Sequence, residues 1–274
     1  MSEHAPSPSR TTGPVPGELC LFCGPYVIAA GRHIEVPEGS KRLLVFVALH
    51  AGRLDRRYVA GSLWPYGDDE RAAGNLRSAL WRLRRAGIDL VEADKWSLWL
   101  RPGTTSDVAT VNDWATRLVS GYATPADLHL PPWDVHALDL LPGWYDDWVG
   151  FERERVRQRL LHALEQLSRE LVVLGRCAEA VEAAIDAVGV EPLRESAQRV
   201  LIEAHLAENN VVEARRLYAS YRQLVRRELG VEPSPGLTRL VVAADEDAGS
   251  TMSPSHVRGA PVGAAQPSRT GAVA

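Results

Sequence analysis

The chain has 274 residues, of which 45% are hydrophobic and 24% charged, with a formal net charge of −4; that balance supplies a core for more than one globular domain and excludes a disordered or fibrous chain. Three cysteines are too few for a disulfide framework. No run is apolar enough to span a bilayer and no basic, apolar leader is present, so a cytoplasmic protein without membrane contact is expected.

Charge is unevenly divided. Residues 18–104 carry 13 basic and 10 acidic side chains, a net +3, whereas residues 105–245 carry 15 and 22, a net −7. Because phosphate attraction acts over about 8 Å at physiological salt, an acidic whole leaves the basic front free to bind a polyanion.

Residues 1–17 are Pro- and Ser-rich and read as a disordered tail. Leu19 to Val36 holds two or three short β runs broken at Gly24-Pro25 and Gly31. Cys20 and Cys23 form a single CxxC, half of a zinc site, and no metal or cofactor is expected. The stretch Ser40 to Gly52 reads as a core helix with Ser40 as N-cap and Gly52 as the stop; Asp55 caps a two-turn helix ended by Pro65.

Asp68 to Ala86, DDERAAGNLRSALWRLRRA, is the most informative stretch: it carries five arginines and no acid after Glu70. At helical pitch Ala72, Leu76, Ala79, Leu80 and Leu83 fall in one arc of about 100°, the width of a core-facing stripe. Arg71, Asn75, Ser78 and Arg82 fall outside it, and their forked or adaptable polar groups match base edges in the major groove. Ile88 to Glu92 and Trp96 to Leu100 form a hairpin with Ala93, Asp94 and Lys95 at its turn, and Leu90, Trp96, Leu98 and Leu100 are the candidates to pack inward. A small sheet, three helices and a hairpin make a winged helix over residues 18–104, with Lys41, Arg42, Arg56, Arg57, Arg85, Lys95 and Trp96 as phosphate and wing contacts. That fragment reads as independently folded.

Residues 105–245 read as all-helical. Asp146 and Asp147 serve as caps for a long helix ending at Gly175 and not as a catalytic pair; Trp144, Tyr145 and Trp148 form an inter-domain hinge. Arg153, Arg155, Arg157 and Arg159 alternate around that helix as a solvated surface, and Cys177 begins an apolar helix. A shift of 34 residues brings Gly175 onto Asn209 and Ala180 onto Ala214, the tetratricopeptide period. Residues 246–274 read as a second disordered tail.

The N-terminal arrangement resembles the DNA-binding domain of OmpR-type response regulators. LPGWYDDWVGFERER (Leu141 to Arg155), VEPLRESAQRVLIEAHLAEN and RRELGVEPSPGL (Arg226 to Leu237), preceded by SLWPYGDDERAAGNLRSALWRLR, resemble the Streptomyces antibiotic regulatory protein, or AfsR-like, family. The fold class expected is mainly α: an OmpR-type α+β winged helix followed by an all-α, tetratricopeptide-like bacterial transcriptional activation domain. The resemblance implies a nucleoid-associated, non-enzymatic activator of a secondary-metabolite gene cluster. It would bind direct repeats of duplex promoter DNA near the −35 element as two protomers side by side, and recruit RNA polymerase holoenzyme with its principal sigma factor. A ligand-sensing repressor and a helical-repeat scaffold are the competing readings. No phosphate-binding loop follows the helices, so no ATP switch is implied.

Overall fold

The computed structural model describes residues 17–250 apart from 23, 51, 132, 134, 136 and 137, with backbone alone for 245–250. The expectations for the two tails and for Cys23 therefore lie outside the described residues.

Strands β1 (Glu18–Cys20), β2 (Tyr26–Ala29) and β3 (Arg32–Glu35) form an antiparallel meander. The β2–β3 turn places both Ala30 and Gly31 at positive φ, 51° and 71°, the geometry that lets a two-residue turn follow the strand twist. Helix α1 (Glu38–Leu49) starts after Pro37 and has no side-chain cap. Ser40 is not the N-cap: it is fully buried, and its Oγ donates to the Ala79 carbonyl at 2.9 Å. The proline, whose φ is already set near the helical value, starts the helix instead, and Ser40 stitches it to α3 (Asp69–Arg85).

Between them, β4 (Leu54–Asp55) leads into α2 (Arg56–Leu63), where Asp55 accepts from the Arg57 and Tyr58 amides at 2.8 and 3.0 Å. Strands β5 (Val91–Ala93) and β6 (Ser97–Leu100) form the hairpin, and β4 adds to β6 to give a β4-β6-β5 sheet. Leu90 and Leu98 are buried. Trp96 is not packed inward, because it precedes β6 at the hairpin tip and is 68% exposed.

The helical part comprises α4 (Asp107–Val119), α5 (Asp147–Val173), α6 (Cys177–Val190), α7 (Glu195–Ala207), α8 (Val211–Leu229) and α9 (Pro235–Ser250). The repeat appears in the backbone: Gly175 and Asn209 both adopt positive φ, 73° and 61°. Ala180 and Ala214 are both fully buried, which lets successive helices approach closely. The loop after α4 is pinned by Asp127, which accepts from Arg117 Nε and Nη2 at 3.0 and 2.7 Å and from Thr124. Those bonds from Arg117 hold its carboxyl far below the usual carboxylate range.

The two parts share one core. Strand β7 (Thr105–Ser106) runs parallel to β1, so the first sheet has the order β3-β2-β1-β7. Asp107 accepts from the Leu21 and Phe22 amides at 2.7 and 3.1 Å, and the Leu141 amide donates to the Leu21 carbonyl at 3.1 Å. Burial pushes the Asp107 carboxyl up, partly offset by those amides.

Trp148 meets Phe46 of α1 edge-on at 5.1 Å and Trp144 at 6.5 Å, so these two tryptophans join the halves, while Tyr145 stands in solvent. Asp146 occupies the N-cap position of α5, yet its side chain makes no capping bond and pairs with Arg42. Nor is Arg153 part of a solvated face: it donates to the Leu140 and Leu141 carbonyls at 3.0 and 2.9 Å, closing the segment before α5. Cys177 is half-buried at the start of α6.

Candidate nucleic-acid interface

Helix α3 carries the candidate interface, and its local sequence explains why it stands firm. Asp68 caps it by accepting from the Arg71 amide at 2.7 Å. Asp69 and Glu70 sit in the first turn and Arg82, Arg84 and Arg85 in the last, each sign matching the helix dipole. Ala72, Leu76, Ala79, Leu80 and Leu83 are its buried residues. At about 100° per residue, the direction opposite those five falls on Gly74, Trp81 and Arg85. Arg71 and Ser78 lie to one side of this ridge and Arg77 to the other.

The surroundings give the two sides different neighbours. Arg71, Asn75 and Ser78 are exposed, and the Arg71 stem runs beside Gly67. Arg82 leans on the first turn of α1, its Nη1 3.5 Å from the Gly39 carbonyl. Arg77, absent from the residues expected on sequence grounds, lines a concavity of about 420 Å³ with Arg56, Arg57, Ala60, Lys95 and Trp96. The structure thus brings the α2 start, the middle of α3 and the hairpin tip together. Asn75 and Arg82 stand on the α1 side of that assembly. Averaging the directions of the apolar positions, rather than choosing the polar residues best suited to bases, would have pointed to Gly74, Trp81 and Arg85.

The other basic residues divide. Arg57 is exposed and meets Asp69 at 3.1 Å, a pair that water and salt weaken. Lys95 Nζ lies 4.8 Å above the Trp96 ring, and the Arg85 guanidinium 5.1 Å from the Trp81 ring. Lys41 pairs with Glu38 at 2.6 Å. Arg42 is engaged by Asp146 at the junction of the halves, so a phosphate contact by it would have to break that pair.

The hairpin tip is held in shape. Asp94 Oδ1 accepts from the Trp96 and Ser97 amides at 2.8 and 2.7 Å, and Oδ2 pairs with Arg53. Arg53 in turn covers the Trp99 ring at 3.8 Å. The Arg56 amide donates to the Trp96 carbonyl at 2.8 Å, tying the tip to α2. The Ser97 and Trp96 amides, with help from Arg53, hold the Asp94 carboxyl below its usual range. With the folded pKa depressed, the turn is stabilised by the carboxylate above the unfolded pKa and loses that contribution only as pH falls through the folded one. The amide shifts of Trp96 and Ser97 are therefore expected to stay constant from pH 8 to pH 5 and to move only below about pH 4. A transition near pH 6 would assign the ordering of the tip to another group.

Among the described residues, no group of three or more His, Cys, Asp or Glu could hold a metal ion, and no helix is long and apolar enough to cross a membrane.

Comparison with known proteins bears on both parts. Residues 129–243 match the model of the bacterial transcriptional activator domain. The chain is 28% identical over 225 residues to the regulatory protein AfsR of Streptomyces griseus, a match covering 76% of this chain and 22% of that protein. For AfsR of Streptomyces coelicolor the identity is 27% over 213 residues, covering 73% and 21%. The chain is thus similar to AfsR over most of its length and matches a bacterial transcriptional activator domain within it. It spans about a fifth of the length of those two relatives. The fold also matches a structure of Mycobacterium tuberculosis EmbR in complex with a low-affinity phosphopeptide, at a TM-score of 0.63 and 18% identity over 86% of this chain and 68% of that one. The expected architecture, a winged helix followed by a tetratricopeptide-like helical array, is the one observed.

Proposed function

We propose that this protein binds duplex promoter DNA sequence-specifically through α3 and the hairpin, and activates transcription by presenting its helical array to RNA polymerase holoenzyme with its principal sigma factor. The observation that carries the reading is the convergence of Arg56, Arg57, Arg77, Lys95 and Trp96 on one concavity beside α3. A helix of this kind enters the major groove while the wing reaches the neighbouring phosphates or the minor groove. Head-to-tail direct repeats would relate two protomers by translation along the duplex, without the two-fold axis that a palindrome demands. A secondary-metabolite gene cluster is the target class that the resemblance in sequence implies, and a cytoplasmic, nucleoid-associated location follows from this role.

Gel-shift with genomic fragments tests the DNA half, and transcription with purified polymerase tests activation; repression in the second assay would reverse the sign of the regulator. Within the interface, Arg57→Ala is expected to weaken all DNA sequences alike and to lower the slope of log K against log[salt] by about one. Arg77→Ala and Asn75→Ala are each expected to cost about 1–3 kcal/mol on the cognate site and much less on random DNA. Equal losses on both DNAs would move Arg77 and Asn75 to phosphate contacts.

A further inference from the structure

Of the eight tryptophans in the chain, six are buried or half-buried, and the two exposed ones, Trp81 at 58% and Trp96 at 68%, both lie on the candidate DNA surface. Trp81 stands on the outermost ridge of α3, one turn before Arg85 and seven residues after Gly74. No residue of the helical array is needed to explain it, and the Arg85 guanidinium beside its ring, 5.1 Å from the centroid, is itself a group that seeks phosphate. Gly74 leaves the ridge without a side chain there: a Cβ would meet nothing nearer than the tip of Arg77 at 3.7 Å. A helix with a bare middle and a broad apolar ring projecting beyond it can sit deep in a groove about 12 Å wide. The apolar feature that base edges offer on the floor of the major groove is the C5-methyl of thymine.

We infer that Trp81 is a specificity-determining residue that packs on thymine methyl groups in the major groove, with Arg85 holding the ring in place from a neighbouring phosphate. The inference rests on the proposal that α3 binds DNA, and it assigns part of the sequence selectivity to apolar contact. That contact does not release counterions, so the selectivity it confers is insensitive to salt.

The test uses the full-length protein and duplexes it selects from a random pool. Each thymine of the selected site is replaced in turn by deoxyuridine, which removes only the methyl. For the wild type, one or two of these replacements are expected to weaken binding by about fourfold each, the worth of one buried methyl group, at both low and high salt. Trp81→Ala, an exposed position where the melting temperature should not change, is expected to weaken binding to the thymine duplex and to lose the response to deoxyuridine at those same positions. Equal weakening of thymine and deoxyuridine duplexes by Trp81→Ala would place the ring on deoxyribose and overturn the inference, as would unchanged affinity or a selected site without thymine. If the wild type selects no sequence at all, the DNA-binding proposal itself fails.

Discussion

A fragment ending at Thr104 is expected to lose the cooperative thermal unfolding of the full chain. The charge boundary and the apolar pattern both suggest an autonomous winged helix over residues 18–104. The structure instead ties that segment to the helical part through backbone, side-chain and ring contacts. Strand β7 pairs with β1, and its removal bares a sheet edge. Asp107 satisfies the Leu21 and Phe22 amides, and Leu141 satisfies the Leu21 carbonyl; losing these partners leaves polar backbone groups open beside an apolar core. Trp148 covers Phe46.

Leu19, Leu21, Phe22 and Phe46 are all at most 6% exposed in the full chain. Exposing even two of them costs about 3–6 kcal/mol, a large share of the about 5–15 kcal/mol that stabilises a typical domain. Circular dichroism on the fragment should show a broad, low-temperature transition. The full chain carrying Trp148→Ala should still unfold in one step, with the tip of the hairpin and the helical array melting together. A sharp transition in the fragment, near that of the full chain, would restore two independent domains.

The interior of α3 was legible because one helix face decides it: the five apolar positions recur at helical spacing and the structure buries those same five. Asp55 was legible as a cap for a similar reason, since its partners lie two and three residues away. The helical repeat showed through Ala180 and Ala214, where small side chains mark a close approach. The features that escaped depend on partners far along the chain. Ser40 looks like a cap until Ala79 is beside it. Asp146 is drawn away from capping by Arg42, 104 residues earlier, and β7 is two residues long, with no pattern to read. At the interface, local chemistry picked out Arg71, Asn75, Ser78 and Arg82, whereas the position of the hairpin and α2 brings Arg77 into the group. Side chains chosen by what they could bind leave out the neighbours that shape a concavity, which are a tertiary property.

The largest expected effect of a single substitution in the helical array is at Arg194. Glu165, in the middle of α5, is 3% exposed, and its Oε1 accepts from Arg194 Nε at 2.6 Å and from Ser196 Oγ at 2.7 Å. Arg194 immediately precedes α7 and also donates to Gln158 at 2.8 Å, so this pair fixes the angle between α5 and α7. Removing the guanidinium strands a carboxylate in the core, and Arg169, 3.9 Å away, is too distant to replace its hydrogen bonds. Breaking one side of such a pair costs about 3–5 kcal/mol, or about 10 °C in melting temperature for a chain of this size. The double variant Glu165→Leu with Arg194→Leu is expected to recover most of that loss, because the penalty lies in the unpaired buried charge and not in the absence of the bridge. If the double variant melts as low as Arg194→Leu alone, the Arg194 stem or its bond to Gln158 supports the array, and the ion pair serves only to align the two helices.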